Sequence, residues 1–253
     1  MSKFAAAYRG GNRLIDALSV EERADVAPDL EVIHLEAAVV THAPTAPYDW
    51  VVFPIDAVLS VVATLSDGDT AEVGTVGNEG ASGVEIAFGA PVLRTTICQL
   101  AGAVARMRTT AFLDLIDRNP GLDALVRSTE KARMFFVEQM IVCNTVHPLQ
   151  QRCARWLLLV ADRAAREEYE LTHDFLSVML GVRRATVSEA AKHLQDAGAI
   201  QYARGHVKIV DRPALEALSC ECYKSAVRVF DDALDTWGHV LATRKHHGIA
   251  SVK

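Results

Sequence analysis

The sequence has no apolar run approaching the ~18 residues that a membrane-spanning helix needs, and its first residues, MSKFAAAYRGGNRL, lack the apolar stretch of a secretory leader. The expectation is a soluble, cytoplasmic protein with no membrane partner. Cysteine is scarce: five residues, an odd number spread over 253 positions, suit a reducing compartment better than a disulfide framework. Net positive charge is lacking too. A formal charge of −6 excludes a uniformly basic nucleic-acid binder, although local patches still count. No C-x-x-C-H, H-E-x-x-H, P-loop or G-x-S-x-G motif occurs, so no enzyme is expected. Internal repeats and low-complexity tracts are absent as well.

What is present divides into three textures. Asn12–Leu30 reads as helical, with Leu14, Ile15, Leu18, Val20 and Val26 apolar; Ser19 and Glu22 have the spacing of a capping box. Between Val32 and Met107 the chain becomes short apolar runs separated by turns. VVFPIDAVLSVVATL, a turn at Asp67-Gly68-Asp69, then TAEVGTVG predict strands joined by a hairpin, and strands this closely spaced suggest a barrel or jelly roll. Thr109–Asp117 is a short helix.

From Pro120 to Val146 the texture is helical, with no Gly after Gly121 and no internal Pro. Leu122, Leu125, Thr129, Ala132, Phe136, Gln139 and Cys143 recur at spacings of three and four, which predicts about seven turns. Such a stripe either packs on its own domain or forms the seam of a dimer; its length favours the dimer. Leu149–Arg166 forms another helix with Trp156, Leu157, Leu159 and Val160 as core. Pro213 to about Leu241 reads as one C-terminal helix marked by Leu215, Leu218, Ala226, Val229, Phe230 and Leu234. The tail from Thr243, with His246-His247, is expected to be frayed and solvated.

Leu171–Arg212 holds six basic against four acidic residues, a local +2 in an acidic chain. Thr172 suits an N-cap before Asp174–Leu180, and Gly181 falls where a helix must stop. Val182 can plug the gap before a second helix with Val187, Ala190, Ala191 and Leu194 on its inner face. This is a helix-turn-helix pattern. Arg183, Arg184, Ala185, Ser188 and Glu189 would then face DNA. IQYARGHVKIVD follows and alternates, with Arg204-Gly205-His206 as the turn of a wing that could reach a phosphate or minor groove.

These residues resemble the Crp/Fnr superfamily of bacterial transcription regulators. Leu171-Thr172, then Gly181 through Glu189, match its helix-turn-helix without gaps; Asn119–Ala154 is similar to its dimerisation helix and the helix after it. The resemblance implies an α+β chain. A cyclic-nucleotide-binding-like jelly roll would span 12–118 and a dimerisation helix 119–147. A winged helix-turn-helix would follow at 148–212, then a helical extension and tail at 213–253. It also implies double-stranded DNA, a second copy of the chain and RNA polymerase as partners. Base readers would fall at Arg184, Ala185, Ser188 and Glu189, where the best-known member has Arg, Glu, Gly and Arg, so the target differs. Arginine suits guanine and glutamate suits cytosine N4. Thr172, Arg183, Thr186, Lys192, Arg204 and His206 would complete the DNA-binding set.

The family's phosphate cassette aligns with Gly83-Val84 and Arg94-Thr95, with valine in place of the usual glutamate and Glu85 one position off. Val137 and Glu138 stand where the family contacts adenine. Gly83, Glu85, Arg94, Thr95, Val137 and Glu138 are thus the candidate ligand residues. The effector is expected not to be cAMP. Arg94 either binds a small phosphate-bearing or nucleotide effector or forms a salt bridge to Glu85. Two other readings stay open. One is a ligand-independent DNA-binding protein. The other is a redox or metal sensor through Cys220 and Cys222, weakened if both lie on one helix, where i and i+2 diverge. Cys98, Cys143 and Cys153 are isolated in sequence.

Overall fold

The computed structural model describes residues 8–247 except Thr45, Asp69 and 90–92, with backbone alone for 236–247. The N-terminal segment is two helices rather than one, α1 (Arg13–Asp16) and α2 (Val20–Val26). Ser19 is the cause. Its hydroxyl accepts from the Glu22 N–H at 3.2 Å, and its own N–H donates to the Glu22 carboxylate at 3.0 Å. That reciprocal cap requires a non-helical Ser19, so the helix restarts there. Val20 is consequently 80% exposed and not core, while Leu14, Ile15, Leu18 and Val26 are buried.

Seven strands follow: β1 (Glu31–Leu35), β2 (Val40–His42), β3 (Trp50–Pro54), β4 (Val58–Thr64), β5 (Thr70–Val76), β6 (Thr95–Leu100) and β7 (Gly102–Arg108). They form two antiparallel sheets, β1-β7-β3 and β2-β6-β4-β5, whose facing side chains include Val52, Leu59, Val76, Cys98 and Val104. The N-terminal region is the expected jelly roll. Thr64 pairs with Thr70 across the β4–β5 hairpin, although Asp69 of its turn lies outside the described residues.

Helix α3 (Thr109–Arg118) leads to α4 (Pro120–Val146), whose bounds match the sequence reading. The Asn119 side chain accepts from the Leu122 N–H at 3.0 Å, and Pro120 sits at the first helical position, where no N–H is required. Next come α5 (Leu149–Ala164), β8 (Glu168–Glu170), α6 (His173–Leu180), α7 (Arg184–Asp196), β9 (Ile200–Ala203), β10 (His206–Ile209), α8 (Arg212–Leu218) and α9 (Cys222–His247). The single C-terminal helix expected from the sequence is therefore broken at 219–221. Ser219 is extended (φ −81°, ψ 162°), and its hydroxyl turns back to the Glu216 carbonyl at 2.8 Å. The helix also continues past Thr243 to His247; 248–253 and the His246-His247 side chains lie outside the described residues.

Helix α9 runs antiparallel to α4: Cys222 meets Gln139, Phe230 meets Phe136, and the Ala233 carbonyl accepts from Ser128. The stripe Leu122–Cys143, expected as a dimer seam, is thus covered within the chain. Its two polar members find partners, one within α4 and one on α9. Thr129 donates to the Leu125 carbonyl at 3.0 Å, and Gln139 donates to Cys222 Sγ at 3.1 Å. A different face of α4 carries exposed apolar side chains: Met134, Phe135, Ile141, Val142 and Val146.

The two halves are joined through α5. Arg163 donates from Nε to Glu79 at 2.8 Å and from Nη1 to Thr75 at 2.5 Å, and both side chains of the ion pair are only 6% exposed. A Cβ on Gly77 would overlap the Arg163 stem. Removing one partner of a buried pair strands the other charge. Glu79→Ala is expected to cost about 3–5 kcal/mol in urea unfolding, with a Glu79→Met/Arg163→Met double variant recovering much of the loss. A cost below about 1 kcal/mol would show that the pair does not join the halves.

Candidate nucleic-acid interface and effector pocket

The winged helix is built from local signals that act as the sequence suggests. The Thr172 hydroxyl accepts from the Phe175 N–H at 3.2 Å and opens α6, so it is engaged as a cap. Gly181 closes α6 at φ +64°, a conformation that favours glycine. Val187, Ala190, Ala191 and Leu194 bury one face of α7. The opposite face, with Arg184, Ala185, Glu189 and Lys192, is exposed, as are Arg183 and Thr186 at its start. The helix N-terminus therefore presents unpaired N–H groups and two arginines to solvent, an arrangement suited to phosphate. Arg184 lies 3.3 Å from Asp174, but both side chains are mostly exposed, so the pair holds the arginine only weakly. Ser188 differs from the other candidates: it is half-buried, and its hydroxyl contacts His173 Nδ1 at 2.9 Å.

Arg204 (φ +51°) and Gly205 (φ +79°) alone make the wing turn. His206 belongs to β10, 3.9 Å from Glu170. Strand β8, absent from the sequence reading, pairs with β10 and sets Glu168 beside Lys208 and Glu170 beside His206. The basic side of the wing is thus partly neutralised, and Arg204 remains as its exposed cation at the tip.

In the jelly roll, a cavity of about 330 Å³ is lined by Gly83, Glu85, Arg94 and Val137 among the expected ligand residues, and by His42, Tyr48 and Arg133, which the sequence reading missed. Thr95 and Glu138 do not line it. The chain at Val84–Phe88 is a 3-10 turn rather than a strand, so Val84 is buried in the core while Glu85 reaches the cavity. Glu85 lies 3.6 Å from Arg133, which also binds Glu130. The anticipated Glu85–Arg94 bridge is not formed. Arg94 contacts the Leu93 carbonyl at 3.0 Å and has no carboxylate partner among the described residues. Gly83 is required on two counts: φ is +88°, and a Cβ would approach His42 Nε2 to 2.6 Å.

The cysteines correct a further expectation. Cys220 precedes α9 and Cys222 opens it, so the two do not lie on one helical turn. Cys143 is not isolated: its sulfur is 3.4 Å from that of Cys220, and His147 Nδ1 is 3.7 Å from Cys222 Sγ.

His42 gives a pH test of the cavity wall. Nε2 sits 2.9 Å from the Trp50 carbonyl and Nδ1 3.1 Å from the Ser82 hydroxyl. The neutral ring, donating to the first and accepting from the second, satisfies both. Burial holds its pKa below the ordinary 6.5. An unfolded chain takes up a proton below that pH and the folded chain does not. Stability is therefore complete above pH 6.5 and declines below it, by at most about 1.4 kcal/mol per pH unit. In His42→Gln that component of the slope is expected to vanish in denaturation curves recorded between about pH 5 and 7.5. An unchanged slope would mean that the ring titrates normally.

Residues 151–218 match the family model of the Crp-like helix-turn-helix domain. Among curated protein sequences nothing matches. Solved structures similar to the chain include FixK2 from Bradyrhizobium japonicum, at 15% identity over 76% of this chain and 98% of that one, with a TM-score of 0.63. A CRP-family transcriptional regulator from Thermus thermophilus has 19% identity, 74% and 96% coverage and a TM-score of 0.59. The c-di-GMP-responsive global regulator CLP of Xanthomonas campestris has 13% identity, 76% and 99% coverage and a TM-score of 0.59. No helix among the described residues is long and apolar enough to cross a membrane. The chain thus carries a Crp-like helix-turn-helix domain and has the fold of the Crp/Fnr-type transcription regulators.

Proposed function

We propose that the protein is a homodimeric, sequence-specific transcription regulator without enzymatic activity, binding a near-palindromic DNA site and working with RNA polymerase. In this reading residues 12–118 form the effector domain, 119–147 the dimerising and coupling helix, 148–212 the DNA-binding domain, and 213–253 an extension that braces the helix. The carrying observation is the exposed face of α7, with Arg184, Ala185 and Glu189 beside the exposed Arg183 and Thr186, and Arg204 on an adjacent wing. Such a helix enters the major groove N-terminus first, and two of them would occupy successive grooves about 34 Å apart. Ser188, already bonded to His173, is a weaker base reader than its position implies.

Dimerisation is best supported by the exposed stripe Met134, Phe135, Ile141, Val142 and Val146. Residues 134 and 141, and 135 and 142, stand a heptad apart, the spacing of a two-helix seam. For the effector, free Arg94 on a cavity wall supports a small anionic or phosphate-bearing ligand. Val84, buried in the core, supports a ligand other than cAMP. CLP, described as c-di-GMP-responsive, illustrates another effector on this fold.

Arg184→Ala is expected to reduce discrimination between the selected site and a mutated half-site by about 1–3 kcal/mol in binding titrations. Arg183→Ala should instead weaken both alike and flatten the salt dependence by about one counterion. An unchanged ratio for Arg184→Ala would refute its role as base reader. Ile141→Glu, on the exposed stripe, is expected to yield a monomer by sedimentation. A dimer of unaltered strength would place the seam elsewhere.

A further inference from the structure

The thiols of Cys143, Cys220 and Cys222 and the ring of His147 converge at the junction of α4 and α9, with one donor atom from each residue and all four within 4.8 Å of one another. We infer that these four side chains form a tetrahedral site for a single thiophilic divalent cation, zinc by its ligand set, which pins the C-terminal end of α4 to the start of α9.

The geometry fits one ion. Zinc–sulfur bonds of about 2.3 Å and zinc–nitrogen bonds of about 2.0 Å give a tetrahedron with edges near 3.5–3.8 Å. The Cys143–Cys220 and Cys222–His147 donor distances are 3.4 Å and 3.7 Å. A multi-iron cluster would put its ligands on different irons and hold them further apart. Three sulfurs and one imidazole suit zinc better than calcium or magnesium, which take oxygen.

The surroundings also fit. Nδ1 of His147 faces the sulfurs, while Nε2 lies 3.3 Å from the Glu221 carboxylate, the outer partner that orients a ligating histidine. Gln139 donates to Cys222 Sγ at 3.1 Å, which would support a thiolate there. Binding sends the three thiol protons to solvent and leaves a complex of net charge −1. A cation is close by. Arg155 is 4% exposed, its Nη1 touches the Met140 sulfur at 2.6 Å, its Nε has no partner, and it acts electrostatically on Cys143 and Cys220 as well as on the Glu72 carboxylate. A buried guanidinium left with a thioether acceptor is costly unless an anion lies near. The three cysteines are buried, while His147 is partly open, which gives the ion a way in.

Placement gives the ion a consequence. His147 is the last cap of α4 and Pro148 begins the path to α5, while Cys220 lies where the chain leaves α8 after the winged helix. One ion would therefore fix both the entry to and the exit from the DNA-binding half. The site stands whether or not the effector reading does.

The test uses the full-length protein, kept reduced with a phosphine and stripped by chelator, then titrated with zinc or cobalt alone. We expect one ion per chain by mass spectrometry and, with cobalt, the intense visible and sulfur charge-transfer bands of a tetrahedral thiolate site. Cys143→Ser and Cys220→Ser should lose those bands. Glu221→Gln leaves the buried ligands intact and is expected to weaken binding about 10–100-fold. His246→Ala/His247→Ala should bind as the wild type does. Zinc should slow amide exchange at 140–147 and 220–226. The inference is overturned if cobalt gives only the weak spectrum of an octahedral ion, or if binding is unaffected by Cys143→Ser. It is equally overturned if the reduced, stripped protein takes up neither zinc nor cobalt.

Discussion

The mutual placement of the two halves depends on the charge of Arg163. The guanidinium is committed to Glu79 and Thr75 of the jelly roll, and its carbon lies 5.0 Å from the Phe136 ring of α4 and 6.0 Å from the Phe230 ring of α9. Four parts of the chain therefore meet on one side chain. A charge so little exposed cannot be released by degrees: if α5 moves away from β5, both ions lose their partner before either regains water. Small displacements are resisted and large ones must be complete, which gives the junction a two-state character. A second polar tie runs alongside, from the Trp156 N–H to the Glu72 carboxylate at 3.1 Å. Burial pushes the pKa of Glu72 up to about 7, so this tie changes charge near neutrality.

Successive turns of helix α4 make different contacts. Arg133 and Val137 line the jelly-roll cavity, Phe136 touches Arg163, and Gln139, Cys143 and His147 meet the start of α9. These contacts lie on one rigid element, so a shift at any of them is felt at the others. Helix α9 makes this arrangement tolerable. It covers the C-terminal part of the apolar stripe, at Ala132, Phe136 and Cys143, while a separate apolar stripe of α4 stays exposed.

How far the sequence could be read depends on how local each signal is. The bounds of α4 follow from Asn119, Pro120 and an uninterrupted period, all within a few residues of what they control. The winged helix is legible for the same reason: Thr172, Gly181 and Arg204-Gly205 each act on their immediate backbone. Non-local facts were out of reach. The period of α4 revealed an apolar stripe but not its cover, because α9 lies far along the chain. Cys143 and Cys220 are 77 residues apart and meet only through that same packing. Glu85, one position off the family's glutamate, reaches the cavity because the 3-10 turn after Gly83 carries it there, a local rotation the spacing alone does not reveal. Arg133 carried no signal of its own. It is one of several charged residues on a long helix, and only the fold brings it to Glu85.

Under the proposed function, the charges in and around the cavity narrow what an effector must offer. Glu85, Glu130 and Arg133 form a linked set with one more negative than positive group, and Arg94 stands apart from it. Burial pushes the Glu130 carboxyl up even though Arg133 is beside it. An anion entering over Arg94 finds a partner there without disturbing the set. An anion at Arg133 must instead displace Glu85 and leave that carboxylate facing the ligand. A ligand that places an anionic group on Arg94 and a donor, such as a hydroxyl, on Glu85 satisfies both ends at once. At about 330 Å³ the space is at the small end for ligand sites. It suits a compact anion or a single nucleotide better than a larger ligand.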